Sequence, residues 1–445
     1  MSLRKFTDWL YLPDGLVPII SRLVGLISLP IGFIVWFFTH SGCGSGPYPG
    51  PFNVPAWRFG SHLLALPLPP EPVNAVIFLL FALAAILLVL GKGYRPLYIY
   101  MATVVAYYSS RDFFVCMLHW VLLDFLFLVA LSFRAKNKNE RSPSRRLIQL
   151  TLCFCYLFGV LQKLFYPDFW QGISLEATFY DGYGVSAPFK DFFLKFPLPM
   201  SFWCASSIFL MLSETFLGLG LFFKRTRILA CILGFILHGG ILVTMDPVLA
   251  IFSIEMWTGY LAFFEGTYKN IQNQNQTQQQ NQAAEPGPVS RIKTALSLAF
   301  IALMILMPLR IYYLPGPPND LLTLFERTPW GFGMFLMRQK VEQLDIAFDD
   351  TQGNTHTVPV FGRMHTASND NELLSIAAYV LKNNPGAKSI RINDLIVVNE
   401  RRNILRTLIW DNPSAPESLP KISVTSAGDY CRGAANRSLE SDHHP

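Results

Sequence analysis

The stretch Leu16–Phe38, LVPIISRLVGLISLPIGFIVWFF, carries a single charge, Arg22, in 23 positions. A helix needs about 20 apolar residues to cross roughly 30 Å of hydrocarbon, so this run predicts a transmembrane span. It follows a short basic start (Arg4, Lys5) and lacks a small-residue A-x-A exit, the pattern of a retained anchor rather than a cleaved signal peptide. Similar runs follow at Val73–Leu90, Leu97–Tyr108, Phe113–Phe133, Leu147–Phe165, Phe202–Phe223, Ile228–Thr244, Leu249–Phe264 and Thr294–Tyr313. Several are short or interrupted by polar groups, as in helices packed inside a bundle. The expected fold is an all-α polytopic membrane bundle of about nine transmembrane helices, residues 1–313, followed by a small extracytoplasmic α+β domain.

Composition agrees. Of 445 residues 51% are hydrophobic and 15% charged, with a mean hydropathy of +0.33. Soluble domains carry about 25% charged residues. Disorder as the dominant state is excluded, because disordered chains are poor in apolar residues. The net charge of +6 is modest and scattered between hydrophobic runs, which argues against a nucleic-acid partner. The expected partner is membrane lipid, with the 37 Phe, 17 Tyr and 9 Trp as filling and interfacial anchors.

Lys and Arg collect on the cytoplasmic side. With the N-terminus inside, cytoplasmic segments hold Arg4 and Lys5, Lys92 and Arg95, the cluster from Arg134 to Arg146, Lys224 to Arg227, and Lys269, Arg291 and Lys293. The other side receives Arg58, Arg111, Lys190 and Lys195. Nine spans, N-in and C-out, satisfy this alternation, in a bacterial inner membrane or the endoplasmic reticulum. The Gln/Asn-rich stretch within 266–290 reads as a flexible cytoplasmic linker, where the acceptor motif at Asn275 is on the wrong side for glycosylation.

After Tyr313 short apolar and polar runs alternate between Pro/Gly breaks. Leu344–Phe348, His356–Val360 and Ser389–Ile392 read as strands and Asn371–Lys382 as an amphipathic helix. This defines an outside domain, 314–413, with a frayed tail over 414–445. Cys116, Cys153, Cys155, Cys204 and Cys231 fall in spans as small hydrophobes. Only Cys43 and Cys431 lie outside, where disulfides are permitted. Either they form a bridge tying the domain to the bundle, or both are free.

Ionisable residues inside spans are expensive and are functional candidates: Arg22, Asp112, His119, Asp124, Lys163, Glu214, His238 and Glu255. Arg22 sits near a helix end and can snorkel. Asp124 and Glu214, mid-span, read as hydrogen-bonding to another helix. Lys163 stands among Phe, Leu and Trp in YLFGVLQKLFYPDFWQG. It is either a desolvated general base or a lysine snorkelling to the interface. His238, in ILHGGILVTM, is either a packing histidine or, with Glu255 and Met256, the lining of a polar pocket. Its two following glycines allow close approach of a neighbour. His119 lies two turns after Asp112 on one helix face. No metal-ligand spacing, nucleophile elbow or phosphate loop occurs.

Tyr156, Gly159, Gln162, Lys163, Trp170 and Gly172 resemble the Y-x-x-x-G-x-x-K-x(n)-W-x-G signature of the horizontally transferred transmembrane domain, whose best-understood members are the vitamin K-dependent γ-glutamyl carboxylases. Arg22 and Gly25 are similar to its opening R-x(2,3)-G element. His238 with Phe252-Ser253-Ile254-Glu255-Met256 is similar to its H-x(n)-F-S-I-x-M block. Leu314-Pro315-Gly316, Trp330-Gly331-Phe332-Gly333 and Met334 to Arg338 resemble the start of its extramembrane region. Together these cover roughly 15–410.

The resemblance implies a membrane carboxylase (a lyase). Lys163 would be the base that deprotonates reduced vitamin K or menaquinol. Oxygen then converts the quinol to a strong base that ionises a glutamate γ-carbon, and the carbanion attacks carbon dioxide. His238 would line the pocket and Phe252, Met256 and His119 contact the quinol, with a peptide or protein substrate on the outer side and no metal. The chain departs from the carboxylases at Gln162, where they have the first of two lysines, and at Ser110-Arg111-Asp112, where they have an Asn-His pair. The alternative reading is a non-carboxylating member of the family that assists peptide maturation or export.

Overall fold

The computed structural model describes residues 3–40, 58–59, 62–63, 69–111, 119–135, 141–164, 167–181, 185–245, 247–264, 288–313, 339–360, 370–398, 402–413, 418 and 420–426. Among the described residues each of the nine apolar runs coincides with a helix: α2 (Val17–His40), α3 (Glu71–Val89), α4 (Arg95–Arg111), α5 (His119–Ser132), α6 (Ser144–Leu164), α10 (Met200–Gly220), α11 (Arg227–Thr244), α12 (Pro247–Tyr260) and α13 (Pro288–Tyr313). Five of these, α2, α3, α6, α10 and α11, are long and apolar enough to cross a membrane. An amphipathic α1 (Leu3–Leu10) precedes the bundle, and three short helices, α7 (Pro167–Trp170), α8 (Ile173–Asp181) and α9 (Ala187–Lys195), connect α6 to α10.

The bundle is apolar on its outer surface as well as in its core. Leu79, Leu83 and Leu90 around α3, and Ile228, Ile232, Ile236 and Val243 of α11, are exposed, while Lys163, Glu214, His238 and Glu255 are buried. Apolar surface of that extent belongs against lipid, not water. Helix α6 is the centre: 72% of its most apolar stretch is buried, against 28% for α3 and 22% for α11. It packs on α5, α10, α12 and α13.

The basic connections gather at one end. Strand β1 (Leu12–Pro13) pairs with β4 (Arg141–Ser142), tying the N-terminal segment to the α5–α6 connection. Between them Asp14, buried, accepts from the Ser142 hydroxyl and from the Ala135 amide at 3.4 Å. Gly93, after α3, lies against the Arg134 guanidinium. Arg145 donates to the carbonyls of Ala262 (2.7 Å) and Phe264 (3.3 Å), and Arg227 to that of Phe263 (3.3 Å), which supplies cations to the carbonyl end of α12. The short hairpin β2–β3 (Arg58–Phe59, His62–Leu63) belongs to the α2–α3 connection and meets the C-terminal domain.

That domain is a five-stranded antiparallel sheet in the order β6-β5-β7-β8-β9, with α14 (Asp370–Asn383) on one face. Leu373, Ile376, Ala377 and Val380 of the helix cover Ile346, Ile390, Ile392 and Leu408. Two expected strands are found within β5 (Gln339–Asp349) and β7 (Ser389–Val398), while the third, expected over His356–Val360, is the shorter β6 (Thr355–Thr357) and shares only two residues with it. Two more were not expected, β8 (Arg402–Asp411) and β9 (Lys421–Ser426), so the sheet continues past Ser414, where a frayed tail was anticipated. Charge hid β8 from a reading of alternation: Arg406 occupies a core position, fully buried against Asp394 directly across the ladder. Cys43 and Cys431 lie outside the described residues; Cys153, Cys155, Cys204 and Cys231 are free thiols.

At the β5–β6 turn the Asp350 carboxylate accepts from His356 (2.8 Å) and from the amides of Gln352 (2.8 Å) and Asn354 (2.9 Å). These bonds, that from His356 foremost, hold its carboxyl well below the ordinary 3.8. A carboxylate with a depressed folded-state value favours the fold above its unfolded value and loses that contribution as the pH falls through the folded one. His356→Ala is therefore expected to bring Asp350 back toward ordinary titration, read from its side-chain carboxyl chemical shift. An unchanged titration would refute the assignment.

Candidate functional site

The central helix α6 carries a polar stripe. Tyr156, Gly159 and Lys163 recur at helical spacing, so Tyr156 and Lys163 share one face about 10 Å apart along the axis. Lys163, in the last turn of α6, is 1% exposed. Its ammonium faces the interior and donates to both Glu214 oxygens of α10, at 2.5 and 2.7 Å. It also stands over the Phe169 ring of α7, 5.1 Å from its centre. The snorkelling alternative is thereby set aside: the side chain is buried in the bundle against Glu214. Glu214 makes the interhelical bond expected of it, and Asp124 does likewise with Ser28 of α2, at 2.8 Å.

Two turns down the stripe, the Tyr156 hydroxyl bonds His238 Nε2 of α11 (2.7 Å) and the Tyr260 hydroxyl of α12. All three residues are buried. Phe252 of α12 meets the imidazole edge-on, ring centres 5.4 Å apart, and Met256, one turn further, is fully buried. The close approach that admits Tyr260 comes at Gly234, where a Cβ would lie 2.2 Å from the Tyr260 oxygen. It does not come at the two glycines after His238: Gly239 has only Trp257 at 3.9 Å, and Gly240 faces open space.

The structure thus joins His238, Phe252 and Met256 in one cluster and seats Lys163 in another along the same helix. His119, at the start of α5, lies within electrostatic range of Lys163. Arg22 reaches the turn at Gly91, far from this stripe in register. Asp112 lies outside the described residues. A reading by residue type left Tyr260 and Phe169 unnoticed. A tyrosine or phenylalanine in an apolar segment carries no signal until its neighbour is known, although Tyr260 falls four residues after Met256, on the same face.

Several buried polar atoms have no hydrogen-bond partner among the described residues: both amide atoms of Gln162, His238 Nδ1, the Ser253 hydroxyl and both Glu255 oxygens. Buried polar groups are normally satisfied, so these mark places where a ligand or water completes the site. Of these, His238 Nδ1 and the Gln162 amide are each able to exchange a hydrogen bond with a polar ligand, and Phe252 offers an aromatic ring beside His238. A separate groove of about 550 Å³, lined by Ala102, Thr103, Ala106, Tyr107, Phe125 and Val129, opens between α4 and α5.

Compared with protein-family models, curated proteins and solved structures, the chain matches none.

Proposed function

We propose that the protein is an integral membrane enzyme of the vitamin K-dependent carboxylase type, with nine crossings, a cytoplasmic N-terminus and the C-terminal domain outside. The observation that carries this reading is Lys163, held inside the bundle on Glu214 within the motif that resembles the family's base. Reduced vitamin K or menaquinol, with oxygen and carbon dioxide, would supply the oxidation and the new carboxyl group.

The chain's own residues supply the acid–base step. An ammonium held by a carboxylate must lose a proton before it can take one, and Glu214, in direct contact, can receive it at once. The pair thus acts as one acid–base couple, screened from bulk water by Phe169 and the surrounding helices. The Tyr156–His238–Tyr260 cluster orients the ring of the bound quinol through the free His238 Nδ1.

The test is quinol turnover by the purified chain supplied with the reduced quinone, oxygen and labelled carbon dioxide. Quinone epoxide is expected from the unaltered protein and from Lys195→Ala, and not from Lys163→Ala. Lys195, at the end of α9 and distant in sequence from the stripe, is the control. Absence of turnover in the unaltered protein favours the second reading, a non-catalytic assistant in peptide maturation or export. The pairing of Lys163 with both Glu214 oxygens supports that reading, since such a pair also fastens α6 to α10.

A further inference from the structure

The junction of α2, α5 and α12 holds two acids with no part in the reaction above. Glu255 and Asp124 are each 1% exposed. Gly259, one turn beyond Glu255, lets α12 settle directly against Phe127 of α5 and Leu152 of α6. Glu255 and Asp124 each lie about one turn from this contact, Glu255 on α12 and Asp124 on α5. Asp124 Oδ1 accepts from Ser28 Oγ at 2.8 Å. Asp124 Oδ2 and both Glu255 oxygens have no hydrogen-bond partner among the described residues.

The titratable groups on the helices packed here include Cys155, Tyr156 and Lys163 of α6 and Tyr260 of α12, with Tyr156 bonded to His238 of α11 and Lys163 to Glu214 of α10. From α2 the neighbour is the neutral Ser28. The nearby cation among these, Lys163, is already taken by both Glu214 oxygens. Unpaired carboxylates inside a bilayer forfeit their hydration, and like charges in one interior repel each other. A proton removes the charge and lets an orphan acceptor act as a donor.

We propose that Asp124 and Glu255 form a proton-holding site in the bundle interior, where their unpartnered carboxyl oxygens keep an exchangeable proton and the Ser28 hydroxyl bonds Asp124. The site is separate from the Lys163–Glu214 couple and stands whether or not a quinol is the substrate. It gives the bundle a place to keep a proton where bulk water does not reach.

Infrared spectroscopy of the full chain in lipid nanodiscs at neutral pH tests this, with exchange into D2O and with Asp124→Asn, Glu255→Gln, the double variant and Ser28→Ala. The expected result is a protonated-carboxyl C=O band that shifts in D2O, is lost in the double variant, moves in Ser28→Ala and survives Glu214→Gln. Absence of the band, or its persistence in the double variant, overturns the proposal. So does its loss on adding sodium ions at constant pH, which would make the occupant a metal cation. If the double variant fails to fold, Ser28→Ala decides, and an unmoved band counts against the site.

Discussion

Lys163→Met is expected to destabilise the bundle by about 3–5 kcal/mol, the usual consequence of removing one partner of a buried ion pair. The methionine keeps the length of the side chain but leaves the Glu214 carboxylate, 8% exposed, with neither of its two lysine hydrogen bonds. The double variant Lys163→Met/Glu214→Leu should recover most of that loss, because an apolar pair of similar volume forgoes the Coulomb attraction and the desolvation cost together. Denaturant titration of the purified chain in detergent reads both. Quinol turnover then separates structure from chemistry. Under the proposed function it is absent in both variants, although one is unstable and the other close to the unaltered protein. A double variant as unstable as the single one would show that the pair does not act as a unit.

Gly172→Ala should cost about 2–4 kcal/mol, combining a left-handed backbone with an overpacked contact. Gly172 has φ of +84°, and a Cβ there would stand 2.4 Å from the Cys204 amide nitrogen and 2.5 Å from the Trp203 carbonyl carbon. Those are backbone atoms of α10, which cannot swing aside as a side chain can. The control is Gly353→Ala, at φ +85° with open space around it. It carries the conformational cost alone, about 1–2 kcal/mol. The excess at Gly172 therefore measures how tightly the α7–α8 connection is pressed onto α10. Because that connection carries Phe169 over the Lys163 ammonium, Gly172→Ala should also lower turnover in the protein that remains folded. Equal costs at the two glycines would refute the close packing.

Hydropathy foretold the helices because a lipid-facing segment announces itself residue by residue, as in Val73–Leu90, without help from any partner. The gathering of basic connections at one end was also legible, since the Arg134–Arg146 cluster and Arg227 lie between apolar runs. In the C-terminal domain alternation revealed β5 and β7. It failed at β8, where Arg406 sits inward only because Asp394 lies opposite on β7. Pairing across strands is invisible in a linear pattern.

The same distinction runs through the candidate site. Lys163 and His238 stood out from sequence because a charge or an imidazole in an apolar run is costly wherever it points. Direction and partner were another matter, and they required the assembled helices. Lys163 turns onto Glu214, 51 positions away, rather than to the outside of the bundle. His238 meets Tyr156 across 82 positions, and Gly234, not Gly239 or Gly240, makes room for Tyr260. By itself the sequence determined that this chain forms apolar helices with a few polar residues stranded among them, because transfer between water and lipid depends on local composition. Which of those residues face one another was decided by the packing of α5, α10, α11 and α12 around α6, because hydrogen bonds and ion pairs depend on distances that only the tertiary structure sets.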